Sequence, residues 1–223
     1  MIEIPASHHV ISFFTNEDVG TEILHTEEQK VAIHYESKRL LDFCRGRYCA
    51  HQCLKQVGMT SPILKETSGA PKWPIGMTGS ISHSQHLAGA ILASHQIYQT
   101  IGLDIETIGR VQPDLWDLFF TSDEIKLLSS ANNAESEFLS TLFFSMKETF
   151  YKMQYQLTKS FIDFHDCEVI LSGNEYYIKP LIQMPKTMSN GSHYKMDFQR
   201  WKNEVICYSM IEHEGHRPEI NQA

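Results

Sequence analysis

The clearest periodicity in the chain runs from Phe138 to Leu157, where Phe138, Leu142, Met146, Phe150, Met153 and Leu157 recur every three or four residues. One face of an α-helix repeats at that interval, so the pattern predicts a long amphipathic helix over about 135–157, following a polar break at 132–136. Its Met and Phe stripe is read as core packing. Residues 27–57 hold no proline and place Val31, Tyr35, Leu40, Leu41, Cys44, Tyr48 and Leu54 at mostly helical intervals, which predicts one or two helices with Gly46 a candidate break. Ser122 followed by Asp123 and Glu124 marks a further helix start. Two apolar runs, Leu87 to Ala93 and Ile97 to Glu106, flank the polar Ser94-His95-Gln96 and predict a β-hairpin. Short apolar or aromatic runs at 167–171, 176–182, 194–198 and 205–211, separated by Gly, Pro, Asn and Ser, read as strands of an antiparallel sheet. Between these patterns, residues 58–80 carry Gly58, Pro62, Gly69, Pro71, Pro74, Gly76 and Gly79. That density excludes regular helix and predicts an extended, turn-rich connection of the kind that shapes pockets. Residues 212–223 are expected to fray.

A chain of 223 residues accommodates one sizeable domain or two small packed halves without a disulfide staple. No stretch approaches the ~20 consecutive apolar residues that would span a bilayer. The first ten residues lack a basic segment and an apolar run, so no secretory signal is read and a cytoplasmic location is expected. Cys44, Cys49, Cys53, Cys167 and Cys207 form an odd set without a Cys-x-x-Cys pair, which predicts reduced, buried thiols. His8, His9, His213 and His216 lie in polar terminal stretches and are read as solvated. A net charge of −8 argues against a general nucleic-acid binder and requires that any anionic ligand be met by a local basic cluster. Lys38, Arg39, Arg45 and Arg47 supply one on the polar side of 27–57, although a solvated helix face has the same composition.

The candidate chemistry lies in two short segments. In Ile101-Gly102-Leu103-Asp104-Ile105-Glu106 the apolar residues alternate with Gly102, Asp104 and Glu106, so a strand buries one set and projects both carboxylates from its other face. Acids at i and i+2 lie roughly 6.5–7 Å apart at Cα, which suits one hard cation. In Phe144-Ser145-Met146-Lys147-Glu148-Thr149-Phe150-Tyr151-Lys152, Glu148 and Lys152 share a helix face and deliver a carboxylate and an ammonium together. Read alone, either group also fits an exposed surface. Gly79-Ser80-Ile81-Ser82-His83 lies upstream, and a serine and a histidine near a cation suggest a phosphorylated ligand, with pyrophosphate plus magnesium the better fit.

These three segments, in this order and at about this spacing, resemble the signature motifs of the 4′-phosphopantetheinyl transferases, and Phe119-Phe120-Thr121-Ser122-Asp123-Glu124 resembles a further family segment. The resemblance spans about residues 39–152. The run Gly69-Ala70-Pro71-Lys72-Trp73-Pro74-Ile75-Gly76-Met77-Thr78 leading into Gly79, and Gly46-Arg47 followed by Ala50, are similar to the enterobactin synthase component D branch of the larger, surfactin-type members. Phe144 stands where many surfactin-type enzymes carry Trp.

The resemblance implies an α/β (α+β) fold of two similar subdomains about a pseudo-twofold axis, each with helices on a mainly antiparallel sheet. The halves are expected at 1–107 and 108–223, with coenzyme A between them. It implies Asp104, Glu106 and Glu148 as magnesium ligands and Glu148 and Lys152 as the catalytic pair. Arg39, Arg47, Lys72, Ser82, His83, Lys147 and Lys152 would bind coenzyme A, with Arg47 toward the adenosine 3′-phosphate. The reaction implied is transfer of 4′-phosphopantetheine to a serine of an apo peptidyl, aryl or acyl carrier protein by a monomeric pseudo-dimer, with siderophore or other nonribosomal peptide assembly as the expected setting. Carriers are usually acidic, as is this chain, so docking is expected to rest on apolar contacts and a few local cations. Leu115, Trp116 and Phe119 are candidate contacts, with core packing the preferred reading. Two rivals stay open: a magnesium-dependent phosphodiesterase or pyrophosphatase acting on a free nucleotide, and a non-catalytic protein that binds coenzyme A or a carrier.

Overall fold

The computed structural model describes residues 2, 4, 9–188 and 193–213. A strand Val10–Thr15 (β1) precedes helices Thr26–Ala32 (α1) and Ser37–Gln56 (α2). Short strands Leu64–Lys65 (β2) and Pro71–Lys72 (β3) lead to strands Met77–His83 (β4), Ala88–Ser94 (β5) and Tyr98–Thr107 (β6). Helices Trp116–Phe119 (α3), Ser122–Ser130 (α4) and Asn133–Thr158 (α5) come next. Strands Cys167–Ser172 (β7), Glu175–Pro180 (β8), Tyr194–Trp201 (β9) and Glu204–Glu212 (β10) complete the order.

Two helix-on-sheet layers repeat one plan, as the pseudo-twofold expectation requires. In the first, α2 covers the antiparallel sheet β1-β5-β4 through Cys49, Cys53 and Leu54, which pack with Ile63, Ala90 and Leu92. In the second, α5 covers the antiparallel sheet β6-β10-β9-β8-β7, and Leu142, Met146, Phe150 and Met153 from the periodic stripe enter its core. Asn132 caps α5 by accepting from the Glu135 N–H at 3.1 Å, and Lys159 ends it in the left-handed region at φ 52°. Thr121 rather than Ser122 caps α4, in a reciprocal pair with Glu124.

Several expectations are corrected by the packing. Gly46 does not break α2; a Cβ there would lie 2.9 Å from Ile81 Cγ2, so the glycine lets helix and strand approach closely. The predicted hairpin at 87–106 has the right strands but not the pairing, because β5 joins β1 and β4 while β6 joins β10 of the other layer. Both faces of β6 are needed for burial: Ile101, Leu103 and Ile105 pack with Ile91, Ile206 and Tyr208, while the alternate face lies under α5. Strand β1 carries no alternation of polar and apolar residues and goes unrecognised in the sequence. The turn-rich stretch 58–80 yields to strand from Met77 onward.

The five cysteines are free and buried, as expected. Leu115, Trp116 and Phe119 pack against the C-terminal core, in line with the preferred reading. The expected fraying concerns mainly 214–223, which lies outside the described residues, as do His8 and His216. Among the described residues no helix is long and apolar enough to cross a membrane.

Gly102 fixes how α5 crosses β6, since a Cβ there would sit 2.5 Å from the Thr149 carbonyl oxygen. Gly102→Ala must push the helix off the strand, and a cost of about 1–3 kcal/mol is expected. Urea denaturation checks this; an unshifted midpoint would show that the contact yields freely.

Candidate active site

The two layers meet where β4 runs beside β6, and serine hydroxyls join them. Ser80 Oγ accepts from the Leu103 N–H at 3.0 Å, and Ser82 Oγ accepts from the Ile105 N–H at 3.1 Å. Each hydroxyl satisfies a buried donor that no neighbouring strand reaches. Ser82 Oγ in turn donates to Asp104 Oδ1 at 3.0 Å, and Ser145 Oγ from α5 donates to Oδ2 at 2.9 Å. Lys152 closes the group by donating to Asp104 Oδ1 at 2.6 Å, Ser82 Oγ at 3.0 Å and the Leu103 carbonyl at 3.2 Å. Asp104 is 3% exposed, so its carboxylate is held by charge-assisted hydrogen bonds with little access to water.

Asp104, Glu106, Glu148 and Lys152 line one cavity of about 700 Å³ together with Ser82, His83 and Lys38. Burial, then the Asp104 charge, pushes the Glu106 carboxyl up to about 8, with Glu148 adding to the rise; Arg110, 3.0 Å from Glu106 Oε2, and Lys152 oppose it. Burial also raises Glu148, against the pull of Lys152. Burial lowers the His83 imidazole, although Asp42, 3.8 Å away, works in the other direction. The donor chemistry of the three carboxylates fits a hard divalent cation, and the part of the Glu106 rise that comes from Asp104 and Glu148, after burial, is the repulsion such an ion would relieve. Among the described residues, no group of three or more His, Cys, Asp or Glu converges tightly enough to coordinate one ion as it stands. Asp104 is engaged by Lys152 instead.

Two further cavities adjoin this one. A basic cavity of about 470 Å³ is lined by Lys38, Arg39, Arg47, Lys65, Tyr35 and Phe43, and shares Ile81, His83, Lys38 and Asp42 with the carboxylate cavity. Arg39 lies 4.8 Å from the Tyr35 ring centre and Arg47 4.7 Å from that of Phe43. On the other side, a cavity of about 610 Å³ shares Ile81 and Lys152 and is bordered by Lys72, Trp73, Met77, Tyr151 and Tyr155.

The structure thus gathers Ser82, His83, Asp104, Glu106, Glu148 and Lys152 around one cavity, sets Arg39 and Arg47 in the basic one and Lys72 in the third. Lys147 is the exception. Its ammonium is buried on another face of α5, where it donates to Glu124 Oε2 at 2.7 Å, the Phe164 carbonyl at 2.9 Å and the Phe119 carbonyl at 3.0 Å. Adjacent helix positions point about 100° apart, so Lys147 ties α5 to the 119–124 and 164 segments rather than to these three cavities. Lys65, Phe43 and Arg110 are not among the candidates the sequence offers, and Tyr35 enters there only as an apolar helix position. Tyr35, Arg39, Phe43 and Arg47 stand four apart, and that spacing was the available signal. Arg45, from the same basic run, is spent on Asp18 and on the carbonyls of Glu17 and Gln85.

Because its folded-state pKa lies above the ordinary carboxylate value, ionised Glu106 costs the metal-free protein stability. The penalty is absent below about pH 4.5 and grows until the pH passes about 8. In the presence of a chelator, Glu106→Gln is therefore expected to melt above the wild type at pH 8, with the gap closing toward pH 5. An equal gap at both values would contradict the assigned cause.

Models of two families cover most of the chain: the "4′-phosphopantetheinyl transferase N-terminal domain" matches residues 27–93 and the "4′-phosphopantetheinyl transferase superfamily" matches 100–208. The chain is 27% identical over 186 residues to 4′-phosphopantetheinyl transferase Svp of Streptomyces mobaraensis, covering 82% of this chain and 76% of that protein. To 4′-phosphopantetheinyl transferase PptT of Mycobacterium tuberculosis it is 29% identical over 144 residues, with 64% and 63% covered. To enterobactin synthase component D of Escherichia coli K12 it is 34% identical over 149 residues, with 65% and 68% covered.

Proposed function

Because the chain belongs to the 4′-phosphopantetheinyl transferase superfamily, enzymes that transfer phosphopantetheine to carrier proteins, we propose that coenzyme A is its donor and that the three joined cavities hold it across the seam. The observation that carries this reading is the continuity of the groove. A basic, aromatic end, a carboxylate and lysine centre, and a mixed end bordered by Trp73, Met77, Tyr151 and Tyr155 follow in the order of a nucleotide phosphate, a diphosphate and a pantetheine arm.

In this reading Lys38, Arg39, Arg47 and Lys65 meet the adenosine 3′-phosphate, and His83, Ser82 and Lys152 the diphosphate. Lys72, Trp73 and Tyr155 border the arm. Asp104, Glu106 and Glu148 would hold a magnesium ion, which supplies Lewis-acid stabilisation of phosphate charge when bound. The carrier serine hydroxyl attacks the β-phosphate of coenzyme A. The new P–O bond joins phosphopantetheine to the serine while the bond between the β-phosphorus and the bridging oxygen of the diphosphate breaks, releasing adenosine 3′,5′-bisphosphate. Lys152, on Asp104 and Ser82, neutralises charge gathering on the transferred phosphate, and Glu148, raised by burial, accepts the serine proton.

We assign the halves of the transferase to residues 1–107 and 108–223, with β6 at the end of the first half crossing into the sheet of the second, and with the protein acting as a monomer in the cytoplasm. A peptidyl or aryl carrier of nonribosomal peptide assembly, as in siderophore formation, is the proposed acceptor; the similarity to enterobactin synthase component D supports it.

Intact-mass spectrometry of an apo peptidyl carrier incubated with the protein, coenzyme A and magnesium tests the reading. The carrier is expected to gain one phosphopantetheine unit, and a chelator to prevent the gain. Asp104→Ala, folded by circular dichroism, should lower the rate at least about a hundredfold. A folded Asp104→Ala protein at near wild-type rate would defeat the assignment of Asp104. Cleavage of coenzyme A with no change in the carrier would point to a hydrolase, and no change in either to a binding protein.

A further inference from the structure

The basic cavity depends on a group outside it. Arg47 lines the cavity but is itself buried, its side chain only 6% exposed, and its Nε lies 3.5 Å from Glu28 Oε1 with no closer hydrogen-bond partner. Glu28 stands on α1 with a side chain 1% exposed. Its carboxylate gathers donors from separate parts of the N-terminal layer: the Ile63 N–H at 2.8 Å, His51 Nε2 at 3.0 Å and the His25 N–H at 3.0 Å. Burial works against its charge, but the His51 and backbone hydrogen bonds hold it below the ordinary carboxylate range. Burial likewise lowers Arg47, and Glu28 counters that effect. Phe43 supports the guanidinium 4.7 Å from its ring centre, so Arg47 is held between an aromatic face and a buried anion.

We propose that Glu28 is a positioning residue for the 3′-phosphate of coenzyme A: it touches no ligand, and it holds and orients Arg47 at the rim of the basic cavity. A carboxylate that merely closed a helix cap would need only the His25 N–H. This one also reaches α2 and the segment before β2, and so fixes Arg47 relative to Lys65 just beyond that segment. The proposal rests on the assignment of the basic cavity to the 3′-phosphate.

Steady-state kinetics with coenzyme A and with 3′-dephospho-coenzyme A, which lacks only that phosphate, tests both statements separately. The wild type is expected to show a KM for the dephospho compound at least tenfold above that for coenzyme A. Glu28→Gln should raise the KM for coenzyme A about tenfold, leave kcat within twofold, and leave the KM for the dephospho compound unmoved. Arg47→Ala should do the same, and the double variant should be no worse than Arg47→Ala alone. Glu28→Asp, which keeps the charge and shortens the reach, should show the same selective effect at smaller size and decides the matter if the Gln variant does not fold. A wild type indifferent to the 3′-phosphate would remove the cavity assignment and the proposal together. A discriminating wild type whose Glu28 variants lose both substrates equally, or lose kcat alone, would overturn the proposal and leave the assignment standing.

Discussion

The arrangement hangs on the seam between β4 and β6. A continuous ladder is not formed there, since β6 spends one edge on β10 and meets β4 through side chains. Ser80 and Ser82 replace the missing strand partner by accepting from the Leu103 and Ile105 N–H groups. Each such bond adds only about 0.5–1.5 kcal/mol, but a buried N–H left unpaired would cost more. A seam closed by hydroxyls leaves room for a groove where a ladder would have closed the surface. It also places Ser82 against both Asp104 and Lys152.

From that seam the electrostatics follow. Asp104 is buried because β6 is covered by α5, and α5 can approach so closely because residue 102 is glycine. The same approach brings Glu148 and Lys152 over the strand, so three carboxylates crowd around one ammonium and Arg110. The burial and crowding that raise Glu106 are a cost to the free protein, and a cation with phosphate ligands would offset the crowding. At the other end, Glu28 plays the opposite part: a buried anion that balances the buried Arg47 guanidinium 3.5 Å away. The groove is acidic in its middle and basic at one end, although the chain as a whole carries −8.

Much of this was legible in the residues because it follows local periods. The Phe and Met stripe of α5, the alternation in β6 and the start of α4 at Ser122 are properties of neighbours in sequence, and the first two placed Asp104, Glu106, Glu148 and Lys152 on their elements. What escaped depends on tertiary partners. The β5–β6 pairing went to the nearest strand in sequence, whereas a strand with two buried faces takes its partner from elsewhere, here β10. Gly46 reads as a helix break by propensity and acts as a contact with Ile81. Lys147 neighbours Glu148 in the motif, yet a helix turns it toward Glu124, which only the fold brings within reach. Lys65 joins Arg39 and Arg47 across a turn-rich loop, with no spacing to announce it.

The most direct measurement is a crystal structure of the protein with coenzyme A and magnesium. One ligand is expected along the groove: its 3′-phosphate among Arg39, Arg47 and Lys65, its diphosphate at His83 and Lys152 with the ion on Asp104, Glu106 and Glu148, and its arm toward Trp73 and Tyr155. Coenzyme A bound on another surface, or in the groove with its diphosphate away from Asp104 and Lys152, would contradict it.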